Sequence, residues 1–350
     1  MIPALQQYPT FLVFIAAFLA IVFTIVFLPP LIRFMRRGRI GQQVRAEGPE
    51  SHMVKQGTPT MGGVVMLLAA LIAVLPSIGN PGIAVLVVTT LVTGALGFVD
   101  DLAKILEENT LGRSPKMKLV GQFTIATVFC LVAVNSLGIS PEVDIPFIAH
   151  LDLGVLTTTF TIGNTVISIP WLYLIFVDIL LAGMCNAVNL TDGLDGLAAG
   201  SVMVVMIIMA AIAFRADMIS AAIFAAAIGG SCVGFLWFNT HPADVFMGDT
   251  GALALGMAFG CIAVLTKTEV VSIIIGGLFV CEAMSVIIQV LHYKRTHRRV
   301  FLMSPIHHHF EKKGWSESRV VVRFWIVSGL FAATGFAIYF VSTLFPGTLF

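Results

Sequence analysis

Apolar stretches long enough to cross a lipid bilayer recur along this whole sequence. A spanning helix needs roughly 20 mostly apolar residues, and we predict ten of them, at 11–34, 61–79, 83–100, 117–137, 170–189, 194–214, 218–238, 250–265, 270–291 and 320–345. The composition agrees, because 58% of the residues are hydrophobic and 11% are charged, against about 25% charged in a typical soluble chain. The sequence therefore predicts an all-α polytopic membrane protein and excludes a water-soluble domain.

The lysines and arginines divide the two sides of these helices unequally. All but Arg215 and Lys267 of the 20 basic residues lie in or beside the segments that follow the first, third and ninth predicted helices. Positive residues concentrate in cytoplasmic loops, so we expect these three segments in the cytoplasm and, with ten spans, both chain termini outside. The same threading places residues 189–196 and 239–249 in the cytoplasm.

The long outer segment, residues 138–169, contains one further predicted element. Strand-forming residues at 157–162 and 165–169 flank the turn dipeptide Gly163-Asn164, which predicts a small periplasmic β-hairpin. No repeat or linker divides the chain, so we expect residues 1–350 to form a single domain. The five cysteines all lie in apolar runs and indicate small core residues rather than disulfides or a metal cluster.

The third predicted helix runs directly into the pair Asp100-Asp101, which we therefore place at the membrane surface. On a helix, Lys104 is four residues from Asp100 and three from Asp101, so it lies on their face and offsets part of their charge. This pattern favours a cation or phosphate site. The alternative is an acidic helix end that caps a membrane span.

Carboxylates are concentrated at the cytoplasmic helix ends, namely Asp100, Asp101, Asp192, Asp195, Asp244 and Asp249, and cationic groups accompany them, namely Lys55, Lys104, Lys116 and His307–His309. Hard oxygen ligands suit Mg²⁺, which usually takes one or two carboxylates and leaves its other positions to water and phosphates. Two simpler interpretations stay open. An aspartate at a helix start, such as Asp249, is often only an N-cap, and the histidines could form a solvated turn.

Two further carboxylates, Asp178 and Glu282, lie halfway along the fifth and ninth predicted helices. Charged groups inside a membrane are usually functional. Neither residue has an evident charged partner in the sequence, however, so we favour interhelical hydrogen bonds for both.

Four motifs resemble, in order and topology, the polyprenyl-phosphate N-acetylhexosamine-1-phosphate transferases: Asp100-Asp101-Leu-Ala-Lys104, Asn189-Leu-Thr-Asp-Gly-Leu-Asp-Gly196, Phe246-Met-Gly-Asp249 and Pro305-Ile-His-His-His309. Within that superfamily, residues 52–63 and 305–311 resemble the phospho-N-acetylmuramoyl-pentapeptide transferase family. The resemblance covers nearly the whole chain, and no motif departs from the family pattern.

The resemblance implies a bacterial plasma-membrane enzyme with a cytoplasmic active site. It implies Mg²⁺-dependent transfer of phospho-MurNAc-pentapeptide from UDP-MurNAc-pentapeptide to undecaprenyl phosphate, giving lipid I and UMP in peptidoglycan synthesis. It leaves a homodimer open and implies no nucleic-acid partner. The alternatives are a sister polyprenyl-phosphate transferase and, less well supported, a secondary transporter, which would bind its substrate near the membrane midplane.

Residue roles also follow from the resemblance. It implies Asp249 as the Mg²⁺ ligand and a catalytic set of Asp100, Asp101, Lys116, Asp249 and His307, in which we assign Asp100 the role of base. It implies a substrate-binding set of Lys55, Thr60, Lys104, Asn189, Asp192, Leu194, Asp195, Asn239, Phe246, Gln289, His308 and His309.

Overall fold

The computed structural model describes residues 8–38, 41, 57–106, 114–163 and 165–345. In this part of the chain, the helices are α1 (Pro9–Arg37), α2 (Gly62–Val74), α3 (Pro81–Leu106), α4 (Pro115–Leu137), α5 (Trp171–Thr191), α6 (Leu197–Arg215), α7 (Ile219–Asn239), α8 (Gly248–Leu265), α9 (Glu269–Ile275), α10 (Gly277–Thr296), α11 (Ile306–Lys312) and α12 (Glu317–Leu344). The strands are β1 (Glu142–Ile145), β2 (Ala149–Asp152), β3 (Thr157–Ile162) and β4 (Thr165–Pro170).

Nine helices within the described ranges are long and apolar enough to cross a membrane. The second predicted span corresponds to the shorter α2, which a 3₁₀ turn at Leu75–Ser77 extends. Together these elements account for the ten predicted segments. The prediction of an all-α, multi-pass membrane protein is confirmed.

Helix α8 lies at the centre of the bundle and contacts α2, α3, α5, α6 and α7. Of its most apolar 18-residue window, 89% is buried, against 22% for the peripheral helices α1 and α12. Glycines permit this close packing: a Cβ added at Gly97 of α3 would collide with the backbone carbonyl of Asp249, and one added at Gly63 of α2 would collide with Gly251. The start of α8 is therefore held tightly against α2 and α3.

The single ninth helix predicted at 270–291 is wrong in detail, because the chain forms two helices there. Helix α9 ends at Ile275 and α10 begins at Gly277. A Cβ at Gly276 would lie 2.7 Å from the ring of Phe259, and one at Gly277 would collide with Phe331. Two adjacent glycines are poor helix formers, and here they also admit two aromatic rings, so the break has a packing reason. Helix α10 then continues past residue 291 to Thr296.

The outer segment contains the predicted hairpin, β3–β4, and a second antiparallel pair, β1–β2, that the sequence analysis missed. Lys267 connects the β1–β2 pair to the helix bundle. Its ammonium group donates to the carbonyls of Ser140 and Glu142 and pairs with the buried carboxylate of Glu269 at 2.9 Å. This polar contact connects β1 to the start of α9.

The cysteine prediction holds for four of the five residues. Cys130, Cys185, Cys232 and Cys261 are buried and free, as expected for small core residues, but Cys281 on α10 is exposed.

The two ends of the bundle differ in chemistry. Ion pairs, hydrogen bonds and side-chain packing bring four segments together at one end, namely residues 100–101, 189–196, 239–249 and 306–312. The hairpins and Lys267 lie at the opposite end, where Arg215, at the end of α6, contacts Thr343 near the end of α12.

Candidate active site

The site is built around the start of α8, which a side chain from α3 caps. Asp101 accepts the backbone N–H of Asp249 at its Oδ1, at 3.0 Å. Its Oδ2 accepts the backbone N–H of Thr250 at 2.9 Å and the hydroxyl of Thr250 at 2.7 Å. Gly248 has a positive φ of 75° and lies against this carboxylate, a position where a side chain would be both strained and obstructed. Asp101 therefore supplies the helix cap from a neighbouring helix.

Because Asp101 supplies the cap, the carboxylate of Asp249 is available for other contacts. Its Oδ1 accepts from the amide of Asn189 at 3.0 Å. Its Oδ2 lies 2.6 Å from Nζ of Lys118 and 3.1 Å from Nζ of Lys104. The interpretation of Asp249 as a mere N-cap is therefore wrong.

Asp100 faces the same two ammonium groups. It is 1% exposed, and its Oδ2 lies 2.8 Å from Lys104 and 2.7 Å from Lys118. Two lysines thus bridge two carboxylates that belong to different helices. Such a cluster can bind anions through the lysines and cations through the carboxylates.

The structure brings Lys118, rather than Lys116, to these carboxylates. Lys116 is exposed on α4, whereas Lys118 is partly buried. Lys118 lies on the same stripe of α4 as the buried residues Gln122, Ala126 and Ala133. This spacing of three to four residues marks one helix face and can be read from the sequence, so it was a usable signal for Lys118.

Asp192 follows the end of α5 and is half-buried beside this cluster. Its pKa is raised to about 7 by burial first and then by the negative charges of Asp249, Asp101 and Asp195, while Lys104 opposes the shift. The three neighbouring carboxylates thus add to the effect of burial and favour the protonated form of Asp192.

Asp195 holds two loops together. Its Oδ2 lies 3.0 Å from Nδ1 of His241 and accepts the backbone N–H of Ala243 at 3.1 Å. Its own backbone N–H donates to Glu317 at 2.8 Å, and Glu317 also lies 3.2 Å from His241. These contacts connect the 189–196 loop to the 239–249 loop and to the start of α12.

Asn239 reinforces the same junction. Its amide accepts the backbone N–H of Gly196 at 2.9 Å and donates to the carbonyl of Val245 at 2.8 Å. Phe246, the next residue, is half-buried, and its backbone pairs with Pro59 and Gly62 at 2.8 and 2.9 Å. The backbone of Phe246 is therefore held by hydrogen bonds to residues on either side of Met61.

Thr60 and Leu194, two further predicted binding residues, are buried. Leu194 packs in a small apolar cluster with Leu197, Leu278 and Val320. Lys55 lies outside the described residues.

The histidine motif forms the short helix α11, and its three side chains point to different partners. His307 is fully buried, with Nδ1 at 3.1 Å from Glu282. His308 pairs with Glu311 at 2.6 Å. His309 accepts the backbone N–H of Leu302 at Nδ1, and its pKa is lowered by partial burial and by Lys313. The interpretation as a solvated turn is therefore wrong for His307.

Gln289, predicted to bind substrate, fixes the loop before this motif. Its side-chain carbonyl accepts the backbone N–H groups of Val300 and Phe301, both at 3.0 Å, and its NH₂ donates to the carbonyl of Phe301 at 3.1 Å.

Asp178 and Asp244 lie apart from the lysine cluster. Asp178 accepts the hydroxyl of Thr127 on α4 at 2.8 Å, which is the interhelical hydrogen bond predicted for it. Asp244 pairs with Arg36 at the end of α1.

The donor set suits a hard divalent cation. Asp100, Asp101 and Asp249 each offer a carboxylate oxygen, and these oxygens lie within 4.8 Å of one another. Asp101 holds the start of α8 through three hydrogen bonds, whereas Asp100 and Asp249 both face the ammonium groups of Lys104 and Lys118. Oxygen ligands of this kind fit Mg²⁺ better than the softer metals that prefer sulfur or imidazole.

Sequence comparison with known proteins gives two family matches. The family model described as glycosyl transferase family 4 matches residues 83–267, which defines the class of the protein. A phospho-N-acetylmuramoyl-pentapeptide-transferase signature matches residues 55–67.

Relatives of that name cover nearly the whole chain. The one from Halalkalibacterium halodurans is 46% identical over 90% of this chain and 93% of its own length. The one from Shouchella clausii is 45% identical over 95% and 98%, and the one from Bacillus subtilis is 46% identical over 88% and 91%. The chain belongs to the phospho-N-acetylmuramoyl-pentapeptide-transferase family and is a transferase.

Proposed function

We propose that this enzyme transfers phospho-MurNAc-pentapeptide from UDP-MurNAc-pentapeptide to undecaprenyl phosphate, giving lipid I and UMP for peptidoglycan synthesis. The supporting observation is the cluster of Asp100, Lys104, Lys118 and Asp249 at one set of helix ends. A lipid phosphate and a water-soluble nucleotide can meet only near the membrane surface, and a phosphoryl-transfer site needs cations there.

The lipid phosphate is the nucleophile in this scheme. One of its oxygens forms a bond to the phosphorus attached to the sugar, and the bond from that phosphorus to UMP breaks. The second pKa of a phosphate monoester is near 6, so part of the lipid phosphate carries a proton at neutral pH. Asp100 accepts that proton, and the dianion attacks directly.

Lys104 and Lys118 orient the two anionic substrates. Their ammonium groups now contact Asp100 and Asp249, and a phosphate that enters between them would gain the same charge-assisted contacts. This positioning matters because the reaction joins two anions that repel each other. Asp249, with Asp100 beside it, would hold Mg²⁺, which neutralises diphosphate charge when bound.

The nucleotide would occupy the junction of the 189–196 and 239–249 loops. Asn189, Asp192 and Asp195 supply polar groups there, and the half-buried ring of Phe246 offers a stacking or edge contact to uracil. The family resemblance adds Lys55, which lies outside the described residues. Loss of that ring should weaken binding of the UDP substrate more than binding of the lipid phosphate.

We place the site at the cytoplasmic face of a bacterial plasma membrane, because basic residues dominate the end of the bundle that carries the site. A cysteine introduced at position 312 should react with a membrane-impermeant thiol reagent only after the inner face is opened. Labelling from outside would overturn this orientation.

The decisive experiment measures radiolabelled sugar-phosphate transfer by purified enzyme in detergent, with undecaprenyl phosphate and Mg²⁺. We expect a lipid-linked product and UMP in wild type, and neither in Asp249→Asn. A secondary transporter would give no lipid-linked product. A sister transferase would accept UDP-N-acetylhexosamine without the peptide, and either result would refute the proposal.

A further inference from the structure

A buried acid and a buried histidine face each other behind the site. Glu282 lies in the first half of α10 and His307 in α11, and both residues are 0% exposed. Nδ1 of His307 lies 3.1 Å from Oε2 of Glu282. The two residues are 25 positions apart, and neither is needed by the lysine cluster described above.

Burial of these two ionisable groups costs free energy, because both are removed from water. Within the described ranges, neither oxygen of Glu282 and neither ring nitrogen of His307 has a hydrogen-bond partner of regular geometry. A buried ion pair typically stabilises a protein no better than apolar residues of the same volume. Stability alone therefore does not explain why a carboxylate occupies this position.

The other edge of the imidazole faces the loop that carries the site residues. A Cβ added at Gly193 would collide with Nε2 of His307, so the ring packs directly on the backbone between Asp192 and Leu194. Only glycine leaves room for it there. One nitrogen of His307 thus points to a carboxylate in α10, and the other lies against the 189–196 loop.

We propose that Glu282 is a positioning residue that acts through His307. Its carboxylate holds a proton on Nδ1, which fixes the tautomer and the orientation of the ring, so that Nε2 is the nitrogen held against the 189–196 loop. A carboxylate behind a histidine commonly sets which ring nitrogen carries the proton. This inference rests on the proposed function only where turnover is the readout; the coupling of Glu282 to His307 does not.

The first test observes the ring nitrogens of His307 by NMR spectroscopy. The enzyme is labelled with ¹⁵N-histidine, and the His307 signal is identified by its loss in His307→Asn. We expect a protonated Nδ1 in wild type and a changed Nδ1 and Nε2 pattern in Glu282→Gln. Asp178→Asn is the matched control, because it also removes a carboxylate from within the bundle but one that contacts Thr127 instead; the His307 signal should stay unchanged there.

The second test is a double-mutant cycle. Loss of a residue that orients a functional histidine costs about 10- to 100-fold, and we expect Glu282→Gln to lower kcat in that range with little change in KM for the nucleotide substrate. In the His307→Asn background, Glu282→Gln should lower kcat by less than about twofold, because the effects of two residues that act together are not additive. Glu282→Asp, which keeps the carboxylate, should recover part of kcat.

Two results would overturn the proposal: an unchanged His307 signal in Glu282→Gln, or losses that multiply in the double variant. Thermal unfolding of each variant identifies one that fails to fold, and Glu282→Asn, which also removes the carboxylate, then carries the same tests. If the enzyme instead made a different lipid-linked product, the proposed function would fail while the ¹⁵N result and the cycle still decided the role of Glu282.

Discussion

Asp101 on α3 accepts the backbone N–H of Asp249 on α8 at 3.0 Å. The cap of α8 is thus supplied by a side chain of another helix, and the side chain of Asp249 faces Lys104 and Lys118. The two adjacent aspartates of α3 consequently do different work, since Asp101 fixes the position of Asp249 whereas Asp100 faces the same lysines as Asp249.

Removal of this cap should affect stability and activity together. Asp101→Ala leaves the N–H groups of Asp249 and Thr250 without their acceptor, and loss of a cap costs about 1 kcal/mol. We expect a lower thermal unfolding temperature and a large loss of turnover, measured on the same preparation. Thr250→Ser keeps the hydroxyl donor and should behave nearly as wild type; unaltered turnover in Asp101→Ala would contradict the assignment.

Two lysines that are only two residues apart should differ sharply. Lys118→Met removes an ammonium group that contacts both Asp100 and Asp249, so it should lower kcat/KM at least about 100-fold, equivalent to about 2.7 kcal/mol. Lys116→Met changes an exposed side chain and should cost far less. Equal losses in the two variants would show that the exposed lysine also reaches substrate.

A methyl group at Gly97 should separate α3 from α8. The added Cβ of Gly97→Ala collides with the backbone carbonyl of Asp249, and overpacking of this kind typically costs about 1–3 kcal/mol. Gly183→Ala on α5 is the control, because nothing lies within 4 Å of its added Cβ, and it should be neutral or slightly stabilising. Thermal unfolding and turnover of both variants test this, and equal behaviour would refute it.

Asp192 should make stability fall as pH rises. Its pKa is raised to about 7 in the folded protein, against about 3.9 for an unfolded aspartate, so between these values the folded state binds more protons. The unfolding free energy contributed by this group therefore decreases with pH across that window and stays low above it. In EDTA, Asp192→Asn should unfold at a higher temperature than wild type at pH 8, with a smaller difference at pH 5. A constant difference would exclude Asp192 as the source.

The pH profile of Asp100→Asn tests the proposed base. We expect it to lose most activity near pH 7 and to recover part in alkaline buffer, where the lipid phosphate is already a dianion. A covalent aspartyl intermediate predicts the opposite, because no change of pH replaces a missing nucleophile. Inactivity at every pH, together with release of UMP by wild type without lipid acceptor, would overturn direct attack.

Local sequence signals were sufficient where a single chain segment determines the result. The apolar spans and the β3–β4 hairpin were predicted because hydrophobic length and turn residues act within one segment. The spacing from Asp100 to Lys104 also forms its predicted contact at 2.8 Å, because an α-helix fixes which residues share a face.

Contacts between distant segments were harder to predict from the sequence. The three-residue spacing of Asp192 and Asp195 would place them on one face of a helix, but residues 192–196 form a turn, and Asp195 pairs with His241. The partner of Glu282 was invisible for the same reason, since His307 is distant in sequence and reaches it only through the fold.

The sequence by itself determined the class of protein, the number of membrane segments and the inventory of acids, lysines and histidines at one end of the bundle. These depend on hydrophobic length, charge distribution and motif content, which are properties of the linear chain. Only the tertiary structure decided that Asp101 caps α8, that Lys118 joins Asp100 to Asp249, and that Glu282 lies behind His307. Each of these contacts joins different helices, and their formation depends on how closely glycine faces such as that at Gly97 let neighbouring backbones approach.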